Sequence, residues 1–271
     1  MSVLPSLHDV LRDARLPADS HLSRVVESEA ARITDAVIAP ATQRAPSGRF
    51  ERSLRDAKAA HGGAVIAEFK RASPSLGMFA AGRDFDTQLQ AYRDGGAAAV
   101  SILAEPALFR GSADEVRAGQ RYGMPRLYKG FVLDVRHLDE AATIAQADAV
   151  LLIARMLGKH TAIFADAARA RGLEPLVELH ELAEIPFARD SGAALIGINA
   201  RDLASFAIST PTAAPLRDAF PDAVLIRESG LAAPKDAHAA FAQGFDAALI
   251  GEALMRSDNP TAFLQECKVR G

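Results

Sequence analysis

The chain predicts an α/β fold, a (β/α)8 (TIM) barrel with an N-terminal helical extension, and three observations carry that expectation. Short apolar runs recur at residues 64–69, 98–103, 126–131, 149–153, 174–178, 195–198, 224–227 and 247–250, every 20 to 35 residues. That is the spacing a βα unit needs. The segments between them are rich in Ala, Leu, Arg and Asp, as covering helices would be. Near-continuous apolar strands belong to a parallel sheet buried by helices, and eight such units in about 200 residues fit a closed barrel. A doubly wound open sheet is the alternative. When such a sheet binds a dinucleotide its first βα turn is Gly-rich, and no such turn follows the first run. The barrel is preferred.

Taken in order, residues 1–60 read as a helical extension packed on the barrel and residues 61–271 as the barrel, one structural domain overall. Leu7, Val10 and Leu11 share one helical face behind Ser6, a suitable N-cap. From Ser20 to about Val37, Leu22, Val25, Val26, Ala30 and Ile33 form a second amphipathic stripe. Residues 40–46 read as a linker and 50–60 as a third short helix. The first barrel strand then places Glu68 and Lys70 two residues apart, on one face. Ser73, Pro74, Ser75 and Gly77 predict a loop leaving its C-terminal end. At the other end of the chain, Met255 and Phe263 fit the core face of one final helix.

Composition narrows the function. A net charge of −3 gives no electrostatic case for nucleic acid or an anionic membrane. Cys267 is the only cysteine, which excludes an intramolecular disulfide. No basic start followed by a long apolar run marks a signal peptide, and no apolar stretch approaches the roughly 20 residues of a membrane span. A cytoplasmic protein, monomeric or weakly dimeric, is expected. His8, His21, His61, His137, His160, His180 and His238 show no metal-ligand spacing, although His180 follows Glu178 closely enough to sit near a barrel mouth.

The C-terminal strand ends of a barrel carry its chemistry. Here they supply Glu68, Lys70, Lys129, Glu178, Asn199, Arg201, Glu228 and Glu252. Lys129 suits a general acid, Glu178 a general base, and Asn199 a substrate hydroxyl. Gly230 and Gly251 follow the seventh and eighth strands, where this fold binds phosphate through backbone N–H groups. Arg201 and Lys70 supply positive charge for the dianion, and Phe109 and Phe131 apolar surface for an aromatic ring. The set points to acid–base chemistry on a small phosphorylated, sugar-like compound, with no metal and no cofactor.

The motifs V-I-A-E-F-K-R-A-S-P-S, L-Y-K-G-F, L-V-E, G-I-N-A-R-D-L, E-S-G and L-I-G-E-A-L-M-R, in this order, resemble indole-3-glycerol-phosphate synthase from about residue 5 to the C-terminus. The resemblance implies a carboxy-lyase of tryptophan biosynthesis. Such an enzyme closes, decarboxylates and dehydrates 1-(2-carboxyphenylamino)-1-deoxyribulose 5-phosphate to indole-3-glycerol phosphate. It implies Lys129 as general acid of ring closure, Glu178 as base of the dehydration, and Lys70 as phosphate contact and helper in that dehydration. Glu68 and Asn199 would position substrate and proton-transfer groups. Arg201, Glu228 and Ser229 would touch substrate; Gly230, Gly251 and Glu252 would lie at or beside the phosphate loops, and Ser73 would join the binding set.

Several positions depart from the family pattern. Gly130 stands where Asp is usual, Arg227 where a small residue is commoner, Ala104 for Thr, Arg110 for Gly or Asn, Ala200 for Asn or Ser, and Leu76 for a frequent Lys. Clustered at one mouth, these changes would suit a divergent paralogue with a related substrate. The other rivals are a phosphosugar isomerase on the same fold, which would lack the paired lysines and Glu178, and a non-catalytic barrel that binds a phosphorylated ligand.

Overall fold

The structure is a computed structural model and describes residues 4–14, 21–73, 77–78, 80, 82–201 and 211–269, without the side chains of His21, Leu22 and Ser73. The apolar runs become eight strands: β1 (Ala64–Phe69), β2 (Ala99–Leu103), β3 (Arg126–Lys129), β4 (Ala149–Ile153), β5 (Glu174–Leu179), β6 (Leu195–Asn199), β7 (Val224–Glu228) and β8 (Ala247–Ile250). Neighbours in sequence pair in parallel, and β8 closes on β1. The expected (β/α)8 barrel is what the chain forms. Two-sided burial is why these strands read as unbroken apolar runs. The third strand stops at Lys129, two residues before its apolar run does.

The helices are α1 (Leu7–Asp13), α2 (His21–Asp35), α3 (Arg49–His61), α4 (Phe85–Gly95), α5 (Ala113–Ala118), α6 (Val135–Asp139), α7 (Ala154–Leu157), α8 (Thr161–Ala170), α9 (Ile185–Ser191), α10 (Ala214–Ala219), α11 (Pro234–Ala242), α12 (Glu252–Arg256) and α13 (Pro260–Glu266). Ser6 caps α1 as its sequence predicts: its Oγ accepts from Asp9 N at 3.2 Å, and its own N–H donates to Asp9 Oδ2 at 3.1 Å. The expected single final helix is two. Asn259 Oδ1 accepts from Ala262 N at 3.0 Å and Pro260 opens α13, so a new helix starts there and Met255 and Phe263 lie on different ones. Beyond β1, Ala72–Ser73 pairs antiparallel with Gly77–Met78, making a two-stranded ribbon where a loop was expected.

Helix α3 runs under the N-terminal end of the barrel. Phe50 and Leu54 are fully buried there, each contributing about 2 kcal/mol by removal from water. Gly48 has no side chain to cap this helix, so the β5 carboxylate of Glu174 does so, accepting from Phe50 N at 2.9 Å and Glu51 N at 2.8 Å. Arg49 reaches Asp148 before β4, and Lys58 reaches Asp246 before β8. The first two helices dock higher up. Val10 of α1 is buried and Asp13 bonds His160 beyond α7 at 2.9 Å, while α2 buries Val25, Val26 and Ile33.

A buried polar network fastens α2 to the strand that carries Lys129. Arg32 donates to both oxygens of Glu140 at 2.9 and 2.8 Å and to Glu29 at 2.9 to 3.1 Å. Glu140 also accepts from the Tyr128 hydroxyl at 2.8 Å. His137 Nε2 lies 3.3 Å from Glu29.

Candidate active site

Register decides which side chains enter the barrel, because paired residues of parallel strands point to the same side. Glu68 pairs with Ser101, Leu103 with Lys129, Ile153 with Glu178, Glu178 with Gly197, and Asn199 with Glu228. These positions form the inward layer nearest the C-terminal mouth. Lys70 follows β1 on the same side as Glu68, and its Nζ lies 2.7 Å from Glu68 Oε1. Ser101 Oγ lies 3.4 Å from Glu68 Oε2.

Lys129 is the centre of the second cluster. Its Nζ donates to Glu178 Oε2 at 3.0 Å and to Glu228 Oε2. Both carboxylates are almost wholly buried. Burial acts to lower the lysine, but Glu178, Glu228 and Glu68 outweigh it and hold the ammonium above its ordinary value. Burial acts to raise Glu178; the Lys129 charge wins and keeps its carboxyl down at about 2. Glu228 goes the other way, pushed up to about 8 by burial and the neighbouring Glu178 charge. Burial and mutual repulsion thus favour a proton on the carboxyl pair, and the opposed directions of the two shifts favour Glu228 as its holder. With it in place, two ammoniums face two carboxylates and the interior is balanced.

Two glycines make room for these carboxylates. A Cβ on Gly197 would collide with Glu228 Oε1, and one on Gly251 would collide with Glu68 Oε1 while lying 3.1 Å from Lys70 Nζ. The backbone after β8 therefore lies directly against the Lys70 ammonium. After β7, Ser229 and Gly230 both have positive φ, 64° and 70°. The left-handed region costs a serine about 1 kcal/mol. Arg201 stands 3.9 Å from Glu252, which also pairs with Arg256 at 3.2 Å, and Asn199 Oδ1 accepts from Arg201 N at 3.0 Å.

The apolar wall comes from the β2 and β3 loops. Phe109 and Phe131 are half-buried with ring centroids 6.1 Å apart. Glu105 holds Phe109 in place: its buried carboxylate accepts from the backbone N–H groups of Ala107, Leu108 and Phe109 at 2.8 to 2.9 Å. A glutamate just after a strand and just before a proline was the available sequence signal for that tether. Gly197 and His180 also belong to the mouth and were not among the expected site residues. Gly197 is one inward step before Asn199, which period-two alternation could have revealed. The Ser73 side chain and Leu76 lie outside the described residues.

Of the departures from the family pattern, Arg227 does not face the mouth. Arg227 alternates with inward Glu228, so its guanidinium faces the helix layer, where it donates to Pro211 O at 3.3 Å near Asp236 of α11. Gly130 answers a packing constraint: a Cβ there would lie 2.7 Å from the Tyr128 ring. Arg110 has φ 57°, the conformation for which Gly or Asn is the easy choice. Among the described residues no group of three or more His, Cys, Asp or Glu side chains could hold a metal ion, and no helix is long and apolar enough to cross a membrane.

A closed parallel barrel with lysines and glutamates converging at its C-terminal mouth belongs to the class of (β/α)8-barrel enzymes. The family model described as "Indole-3-glycerol phosphate synthase" matches residues 19–267, and the chain belongs to that family. Relatives of that name include one from Desulfosudis oleivorans, 38% identical over 80% of this chain and 83% of its own. Another, from Koribacter versatilis, is 37% identical over 83% of this chain and 87% of its own. The thiamine phosphate pyrophosphorylase of Pyrococcus furiosus shares the fold, with a TM-score of 0.55 and 16% identity over 79% of this chain and 95% of that one.

Proposed function

We propose that this chain is a working indole-3-glycerol-phosphate synthase, which closes the ring of 1-(2-carboxyphenylamino)-1-deoxyribulose 5-phosphate with loss of carbon dioxide and water. The observation that carries this reading is the Lys129 ammonium held between Glu178 and Glu228, with Lys70 and the Gly251 backbone on one side of the mouth. Lys129 protonates the ketose oxygen, which makes its carbon electrophilic enough for attack by the ring carbon. Decarboxylation then restores the aromatic ring. Glu178, ionised well below neutral pH, takes the proton in the dehydration, with Lys70 assisting. Glu68 keeps Lys70 in place, and Asn199 orients a substrate hydroxyl.

The phosphate is assigned to the backbone after β7 and β8, at Ser229, Gly230 and Gly251, with Lys70 and Arg201 as its charged partners and Glu252 beside it. Phe109 and Phe131 flank the aromatic ring, and Ser73 completes the binding set. The outward orientation of Arg227 and the packing reason for Gly130 favour the ordinary synthase over a paralogue with another substrate. A cytoplasmic protein, monomeric or weakly dimeric, goes with this reading.

The test is to incubate the purified protein with the substrate and follow indole fluorescence, with Lys129→Ala as control. Turnover lost by a factor of about 10² or more in the variant is expected. Absence of turnover in the unaltered protein refutes the assignment.

A further inference from the structure

The mouth contains one buried titratable side chain to which the proposed reaction gives no task. His180 follows β5 two residues after Glu178 and on its side of the strand. Its imidazole is only 1% exposed, and its Nε2 lies 3.4 Å from Glu178 Oε1. Neither ring nitrogen has a hydrogen-bond partner of good geometry. A buried polar ring without partners costs free energy, so an orphan pair of nitrogens aimed at a base calls for a reason.

The surroundings fix the backbone that carries the ring. The backbone N–H of His180 donates to Glu184 Oε2 at 2.7 Å, and Glu184 Oε1 accepts from Arg155 Nε at 3.1 Å. Arg155 also pairs with the exposed carboxylate of Glu181. From α7 and the turn before α9, the clamp fixes the chain at His180 while leaving the imidazole uncommitted. The two oxygens of Glu178 are then divided: Oε2 receives the Lys129 ammonium and Oε1 faces the ring.

We infer that His180 is a positioning residue for Glu178, presenting an Nε2–H to Oε1 so that the carboxylate keeps its orientation when Lys129 turns to the substrate. The inference rests on the reading of Glu178 as base. A neutral ring beside a carboxylate must turn its N–H, not its lone pair, toward the oxygen. The ring is neutral at pH 7: burial lowers it, Lys129 and Arg155 act in the same direction, and the opposing Glu178 and Glu184 charges do not make up the difference. The 3.4 Å separation is the loose form of a contact that closes when substrate displaces Lys129.

The test compares His180→Leu with His180→Gln, whose amide nitrogen restores a donor at similar reach. The Leu variant is expected to lose about tenfold in kcat with KM within about twofold, and its acid limb in kcat moves to higher pH because Glu178 has lost a donor. The Gln variant keeps kcat within about threefold of the parent. A folded Leu variant with unchanged kcat and acid limb overturns the inference, as does a Gln variant as impaired as Leu.

If the Leu variant does not fold, the imidazole ¹⁵N spectrum of the unaltered protein decides. The Nε2–H neutral tautomer supports the inference, and the Nδ1–H tautomer or the cation overturns it. If the unaltered protein does not turn over the substrate, the synthase reading fails by itself. The ¹³C carboxyl titration of Glu178 then decides the role of His180: displaced upward in the Leu variant and not in the Gln variant it supports the role, and unmoved in the Leu variant, or displaced as far in Gln as in Leu, it overturns it.

Discussion

Replacing Glu228 by Gln removes the carboxyl that holds a proton in the folded barrel, and stability should record the change through pH. The folded carboxyl titrates at about 8, pushed there by burial and the adjacent Glu178 charge, whereas the unfolded chain releases the same proton near 4.3. Between those values the folded state binds one more proton than the unfolded state, so stability from this group is complete below pH 4.3 and falls as pH rises toward 8. The slope approaches tenfold in the folding constant per pH unit, about a hundredfold from pH 5.5 to 7.5. Glu178 adds nothing in that window, since its folded value near 2 makes its own contribution constant above the unfolded value. His180, neutral when buried, pulls the other way around pH 6, because the unfolded chain binds a proton there. The measurement is therefore a difference. Urea unfolding of the parent and of Glu228→Gln at pH 5.5, 6.5, 7.5 and 8.5 cancels the histidine contributions. The Gln variant gains on the parent with each unit up to about 8 and no further. A difference that stays flat across the series means Glu228 is ionised in the folded protein, and the charge balance argued for the mouth is wrong.

Arg32→Ala leaves Glu29 and Glu140 without their shared cation, with the Tyr128 hydroxyl still donating to Glu140, and a loss of about 3 kcal/mol in urea unfolding is expected. Arg110→Gly relieves a φ of 57° and should stabilise by about 1 kcal/mol in the same assay. Gly130→Ala drives a methyl into the buried Tyr128 ring and is expected to cost about 1–3 kcal/mol, with the loss much smaller when Tyr128→Ala is made with it.

The barrel was legible because burial on both faces turns each strand into an unbroken apolar run, and the closed sheet needs eight of them. Glu68 and Lys70 were legible because polar residues interrupt such a run only at its end. What the sequence could not supply was direction. Arg227 and Glu228 are adjacent and both buried, yet only the register with β6 and β8 tells that Glu228 enters the barrel and Arg227 leaves it. Arg32 and Glu140 are separated by 108 positions, and no local pattern joins them. The break between α12 and α13 had a local signal, Asn259-Pro260, which apolar spacing alone overrode. Arg110 shows a different kind of loss: the backbone angle is a property of the turn, and a residue ill-suited to it hides it from view.

The glycines of the mouth connect its packing to its chemistry. An inward side chain normally fills the barrel, and this layer instead gives up volume at Gly197 and Gly251 so that Glu228 and Glu68 can stand inside. Each carboxylate then needs a counter-charge, because an ion buried alone is too costly to keep. Lys129 and Lys70 supply two, one short of the three carboxylates, and the missing charge is made up by the proton on Glu228. A substrate dianion arriving beside Gly251 would compete with Glu68 for Lys70, and Ser101 is the neighbour able to keep Glu68 hydrogen-bonded when it does. On the proposed reading Lys129 would meet no such competitor from the phosphate and would stay with its own two carboxyl groups until the ketose oxygen drew it away. The division of labour proposed for the two lysines would thus follow from which glycine lies beside which carboxylate.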